Sequence, residues 1–194
     1  VESRAEVNQI KGAALAEFLS WYTRVHGRDR LRSLPESVLD ALDLGERGSI
    51  VLASKWYPAP IIHELLESLV RDLSAAERQR IVSDGARAVM EATLRGVYRL
   101  LFRTMMTPAR YAQHSQKLWD RYYSSGRMTK RMIAPEVHAT EISDWAGHHP
   151  LLCDIHVESA RYIYAAMGCK NVDVRRTTCT SNGAQTCSFE VRWR

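Results

Sequence analysis

Three histidines and a cysteine crowd one short stretch of this chain: His148, His149, Cys153 and His156. His149-Pro150 reads as a helix opening, and on that helix His149 and Cys153 are four apart, so they share a face as metal ligands could. The competing reading is structural. A histidine at a helix start is commonly a cap or solvated, and Asp154 and Glu158 make the stretch polar enough for that. Two more cysteines, Cys179 and Cys187, lie on the arms of a hairpin, and Phe189, Val191 and Trp193 alternate with Ser188, Glu190 and Arg192 in the period-2 pattern of a half-buried strand. Asn182-Gly183 offers the positive-φ residues of a tight turn. A two-residue turn would set residue 179 opposite 186 and point the two thiols to opposite sides; a bulge or longer loop would bring them to one face. Without a metal, the expected state is buried apolar thiols, with a Cys179–Cys187 disulfide only on oxidation.

The elements that must position these groups read as a helical majority followed by β-β-α-β-β. A helix over Val7–Val25 carries Ile10, Ala13, Ala14, Phe18 and Trp21 on one stripe and ends at Gly27. Ser33 and Glu36 form a capping-box pattern for a short helix to Leu44, with Gly45 and Gly48 bracketing its exit. Residues 49–56 are short and β-like, and Pro60 opens a helix to Leu73. Ser74 and Glu77 form a second capping box, starting a helix that runs to about Met105 with a break near Asp84-Gly85. Thr107-Pro108 caps the helix that carries Leu118, Trp119 and Tyr122 and stops at Gly126. Strands follow around 128–133 and 136–145, then a helix from Pro150 to about Met167, stopped by Gly168, and the hairpin. The chain is read as a single domain, 1–194, mainly helical over 1–125 and β-β-α-β-β over 126–194.

At 194 residues, 45% apolar and 25% charged, the chain can bury a sizeable core. No apolar run reaches the roughly 18 residues of a membrane span. The polar first residues do not resemble a secretory signal. Four widely spaced cysteines suit a reducing compartment, so a cytoplasmic location is expected. A net charge of +5 favours acidic partners but is too diffuse for a dedicated nucleic-acid binder. Arg87, Arg95, Arg99 and Arg103 recur at helical spacing and are read as a solvated face. The dinucleotide, P-loop, nucleophile-elbow and zincin motifs are all missing from the sequence, so no enzymatic activity is expected.

The closing unit, with Gly168, the Cys179-to-Cys187 hairpin and the terminal run from Cys187 to Trp193, resembles the heme-NO-binding and 4-vinyl-reductase-type superfamily. More closely, nearly the full chain is similar to an uncharacterised paralogous family expanded in myxobacteria. That likeness rests on Ile10-Lys11-Gly12, Trp56-Tyr57-Pro58, Leu118 to Tyr122 with Gly126, and the terminal run. The superfamily implies an α+β fold, a helical layer packed on a four-stranded antiparallel sheet with an internal pocket used for heme, aromatic effectors or acyl chains. Its aromatic-responsive sensors bind zinc through three cysteines and a glutamate, and Cys153, Cys179 and Cys187 match their cysteine spacing. Arg176 stands where the glutamate should be, so a fourth ligand must come from His149, His156, Glu158 or water. Tyr123, Ser125 and Arg127 match the superfamily's propionate-gripping pattern, but the axial histidine it places about thirty residues upstream, near Leu94, is missing. Zinc is therefore a candidate cofactor and heme is not expected.

The function implied is a non-enzymatic sensory or regulatory module. It would bind a small apolar or aromatic ligand, or a lipid chain, between helices and sheet, with Trp119, Tyr122, Tyr162, Phe189 and Trp193 as candidate lining residues. A protein partner and a homodimer are expected. The alternative is a ligand-free dimeric interaction scaffold of the same fold.

Overall fold

The structure, a computed structural model, describes residues 8–44, 51–95 and 97–194. It is α+β. A helical layer of α1 (Gly12–His26), α2 (Asp29–Arg32), α3 (Glu36–Ala41), α4 (Ala59–Val70), α5 (Ala75–Thr93), α6 (Val97–Met105), α7 (Pro108–Gln113) and α8 (Ser115–Trp119) precedes the sheet. The sheet strands are β3 (Arg127–Ala134), β4 (Val137–Ser143), β5 (Asp173–Thr178) and β6 (Cys187–Arg192), antiparallel in the order β3-β4-β6-β5. Helix α9 (Pro150–Ala166) connects β4 to β5. A small ribbon of β1 (Gln9–Lys11) and β2 (Trp56–Pro58) sits among the helices.

Period-2 alternation turns Met128 and Lys130 of β3, His138, Thr140 and Ile142 of β4, Val174 and Arg176 of β5, and Cys187, Phe189 and Val191 of β6 to the same face of the sheet. Polar residues on that face must find partners. His138 Nδ1 lies 2.7 Å from the Tyr164 hydroxyl of α9, Lys130 Nζ donates to Thr140 Oγ1 at 2.7 Å, and Arg176 pairs with Asp154 of α9.

Several boundaries differ from the sequence expectation. The first helix gives up Gln9–Lys11 to β1, because those backbone groups pair with β2 and with the 122–124 segment: Lys11 N donates to Tyr122 O and Ser124 N to Gln9 O. The Ser74–Glu77 capping box forms in both directions. The Ser33 box does not: α3 is N-capped by Pro35, and the Ser33 hydroxyl donates to Arg30 O. Helix α5 passes unbroken through Asp84-Gly85, where the missing Cβ lets the Phe18 ring approach, and ends instead at Thr93. That end splits the expected arginine face, leaving Arg87 beside Asp84 and Arg95 at 4.0 Å from Glu17. The expected exit at Gly45 and Gly48 and the start of the 49–56 segment lie outside the described residues. No described helix is long and apolar enough to cross a membrane.

Gly12 opens α1 under close constraint. A Cβ there would lie 2.3 Å from the Leu52 carbonyl oxygen and 2.7 Å from the Tyr57 ring. A backbone oxygen cannot rotate away, so Gly12→Ala is expected to cost about 1–3 kcal/mol despite alanine's higher helix propensity. Urea unfolding checks this, and an unchanged midpoint would contradict it.

Candidate functional site

Two sites meet on α9. The first is a thiol–imidazole cluster. His149 caps α9 by accepting from Leu151 N, with Pro150 in the first turn. This sets Cys153 one turn in, facing the hairpin. The hairpin is not the two-residue turn the sequence suggests. A register shift between Arg176 and Thr178 is followed by a 3-10 turn at Thr180–Asn182, with Gly183 left-handed after it. That shift brings Cys179 and Cys187 to one side. Cys179 Sγ lies 3.8 Å from Cys153 Sγ, 3.9 Å from Cys187 Sγ and 3.6 Å from His148 Nε2. All four ligand atoms fall within 4.8 Å of one another. A tetrahedron with metal–sulfur bonds of ~2.3 Å has edges of ~3.8 Å, so the three thiols already stand at the spacing of a four-coordinate centre.

The fourth member is His148, which the sequence reading placed in the same stretch but did not offer as the fourth ligand. His149 is held away by its capping role and by Glu67 at 3.0 Å; Glu158 pairs with Arg161 at 3.5 Å. His156 lies in the second site. Arg176, three residues before Cys179, is engaged by Asp154. Burial keeps the His148 imidazole below its ordinary pKa, so it is neutral and a ready donor. Burial pushes the Cys153 thiol well up, with the Cys187 and Cys179 thiols adding to the rise. Burial also pushes Cys179 up, but hydrogen bonds from the Ser181 backbone and side chain and from the other two thiols outweigh it, and its pKa falls below the ordinary value. Cys179 is thus closer to a thiolate than an ordinary thiol before any ion arrives.

The second site is a cavity of about 240 Å³ within the helical layer. Helices α1, α4, α5, α6, α7, α8 and α9 wall it, and the sheet contributes only Met128 among the described lining residues. Trp119 and Tyr122 are on the wall; Tyr162, Phe189 and Trp193 are not. Phe189 instead covers Lys130, and Trp193 packs on Tyr164 and His138. The expectation of a pocket between helices and sheet is corrected: α9 fills that gap, with the buried Tyr164–His138 pair beneath it.

An aromatic cluster flanks this cavity, of which the sequence reading had Trp119 as a lining residue but not its neighbours. Trp119 stacks on Tyr123 at 4.2 Å between centroids, and Trp145, from the loop after β4, meets both edge-on at 5.0 and 5.2 Å. His156 packs against all three rings at 5.1–5.3 Å. The sequence signals for it were Trp119, read as a lining residue, and His156, three residues beyond Cys153. The Tyr123–Arg127 run is anchored by β1, through Gln9 N donating to Ser124 Oγ at 2.7 Å, and by Trp119 Nε1 donating to Ser125 O.

No family model and no curated protein matches this chain. Solved structures do. An H-NOX protein from S. oneidensis, solved in the Fe(II)NO ligation state, matches with a TM-score of 0.67 at 10% identity over 95% of this chain and 99% of that one. An Fe(II) unliganded H-NOX protein from K. algicida gives 0.66 at 12% identity, covering 95% and 97%. A third structure, from work on heme distortion in the H-NOX family, gives 0.65 at 8%, covering 95% of each chain. The chain has the H-NOX fold. These matches correct the expectation that set heme aside in favour of zinc, because the proteins sharing this fold are described by their heme iron. The sequence pattern places a histidine near Leu94, which lines the cavity; the histidine among the described lining residues is His156 of α9.

Proposed function

We propose that this domain is a non-enzymatic sensory module whose ligand occupies the α-helical cavity, and that the ligand is a small apolar or aromatic molecule or a short lipid chain. The observation that carries the reading is the cavity itself: about 240 Å³, lined mostly by apolar side chains, and larger than the ~150 Å³ of an engineered cavity that binds benzene. A natural core closes such a void unless something fills it. Because α1, α5 and α9 all contribute to the wall, occupancy would bias the packing of the helical layer, the route by which a signal could reach a protein partner or a second copy. Ala86, 1% exposed and on the wall, offers the test. Ala86→Phe should leave the fold intact by circular dichroism and weaken naphthalene binding at least about tenfold, since the ring takes the ligand's place. Equal binding by both proteins would defeat the reading.

We hold heme as a second candidate occupant of the cavity, because the solved structures that share this fold are described by their heme iron. The histidine among the described lining residues is His156, which would be the donor to iron; Ser125 and Arg127 of the propionate pattern are not among them. Bound heme would supply an iron able to take a small gas ligand. Hemin titration tests this through a Soret band that His156→Leu removes.

We also propose that His148, Cys153, Cys179 and Cys187 hold a thiophilic divalent metal ion. It would join α9 to the hairpin, fixing the sheet side of the molecule while the helical side responds to ligand.

A further inference from the structure

We infer that the open half of the β3 edge is a docking site for a partner protein, and that the partner supplies an extended segment with acidic residues at alternate positions, which joins the sheet as an added strand.

Strand β3 lies at one edge of the sheet, so half of its backbone groups face away from β4. At its start that edge is closed by α8: Met128 N donates to Gln116 Oε1 at 2.7 Å, and Met128 O accepts from Ser115 Oγ at 3.4 Å. The ladder with β4 is regular from Arg127 to Met132, so the N–H and C=O of Lys130 and Met132 share the outward sense of those of Met128. Among the described residues, no hydrogen bond reaches them from outside the sheet. The end of the strand is bare. Met132 is 57% exposed and Ile133 46%, with Arg131 and Ala134 exposed beside them. Open backbone groups next to uncovered apolar side chains are what strand addition uses: main-chain bonds give affinity and alternate side chains give selection. The register shift between Met132 and Ala134 interrupts the ladder there and keeps the contact short.

Charge selects the occupant. The charged residues of β3 are Arg127, Lys130 and Arg131, with no acid in the strand. Arg127 and Arg131 turn to the exposed outer face with Thr129, and neither has an ion pair among the described residues. A second copy pairing edge to edge about a two-fold axis would bring the Arg131 side chains of both chains onto neighbouring positions, and like charges so placed repel. An acidic strand meets the same cations with opposite charge. Its residues opposite Arg131 and Thr129 would point to the outer face and carry the carboxylates, while the residue opposite Met132 would point to the other face and be apolar.

The probe is a fluorescein-labelled octapeptide alternating glutamate with valine, titrated into the full chain by anisotropy and followed by residue-resolved amide exchange. It should bind saturably, one per chain. At ~10 times its Kd the Lys130 and Met132 amides should exchange about tenfold more slowly, because a paired edge amide is closed to water. Arg131→Glu should keep its circular dichroism and weaken this peptide roughly fivefold, whereas an octapeptide alternating lysine with valine should be weak on wild type and gain on the variant. Only one edge of the probe faces β3, so N-methylation of either its valines or its glutamates should abolish binding. No saturable binding, equal binding of the glutamate and lysine peptides, binding that survives both methylations, or binding that leaves the Lys130 and Met132 amides unprotected overturns the docking site. Protection of those amides that rises with protein concentration, with no peptide present, would make a second copy the occupant and overturn the acidic partner.

Discussion

Co²⁺ added to the reduced protein is expected to bind one per chain and to produce the thiolate-to-metal charge-transfer and d–d absorption of a tetrahedral sulfur-rich site. The three sulfurs stand 3.8 and 3.9 Å apart along the Cys153–Cys179–Cys187 series, and His148 Nε2 lies 3.6 Å from Cys179 Sγ. Little rearrangement is needed, so ligand-ordering costs are small. The remaining cost is proton release, since Cys153 sits well above the ordinary thiol range. Affinity should therefore climb with pH as thiol protons become easier to displace. An ion held only by the folded state stabilises it by about 4 kcal/mol when present at ~1,000 times its Kd. Saturating Co²⁺ should raise the thermal midpoint by several degrees, and chelator should reverse the rise. Cys179→Ser should abolish the charge-transfer band and the stabilisation together. Arg176→Ala should abolish neither, because Asp154 rather than the cluster engages that side chain. The absence of a charge-transfer band under reducing conditions would remove the metal centre from the account.

The second large effect concerns Lys130. Its side chain lies on the inner face of β3, with Nζ 5.0 Å from the Tyr111 ring centroid and 5.1 Å from that of Phe189. Burial pushes its pKa down to about 7. The sign follows from linkage. Between pH ~7 and the unfolded value of ~10.4, the unfolded chain binds a proton that the folded chain does not, so stability rises with pH across that window. Below pH ~7 both states are charged, and the full cost of the buried cation is present. The two aromatic faces and the Thr140 hydroxyl offset part of that cost. The double change Lys130→Met with Thr140→Val, which leaves no orphaned hydroxyl, should stabilise the protein at pH 7 by about 2 kcal/mol and flatten the rise above it. Urea melts at pH 6, 7, 8 and 9 measure both quantities. A destabilised double variant, or one that keeps the wild-type pH slope, would contradict the assignment.

Much of the α+β fold was legible in local pattern. The alternation from Ser188 to Trp193 marks β6, His149-Pro150 opens α9 where expected, and the Ser74–Glu77 box forms as its spacing indicates. What local pattern could not supply is non-local. Strands β1 and β2 are three residues each and owe their extended backbone to each other, and β1 also to the 122–124 segment. The Ser33 box loses to Pro35, which caps α3 with its extended backbone. The candidate site divides the same way. The sequence could bring three thiols into proximity, but their common face depends on a register shift at Thr177 that a two-residue turn would not produce. Choosing His148 over His149 needed the cap geometry of α9. The cavity was least legible of all, because Trp119, Tyr123 and His156 come from separate elements and periodicity reads the same whether such residues fill a core or line a void.

The central claim is that the helical cavity is a ligand site, and methyl-labelled NMR tests it most directly. In two-dimensional ¹H–¹³C spectra of the protein titrated with naphthalene, the account predicts saturable shifts of the Ala86, Val89, Leu66 and Leu152 methyls, all on the cavity wall. Val174 and Val191, buried on the sheet, should stay nearly still. Saturation that leaves the four wall residues unmoved, or that moves only exposed methyls such as Leu52 and Leu100, would contradict it.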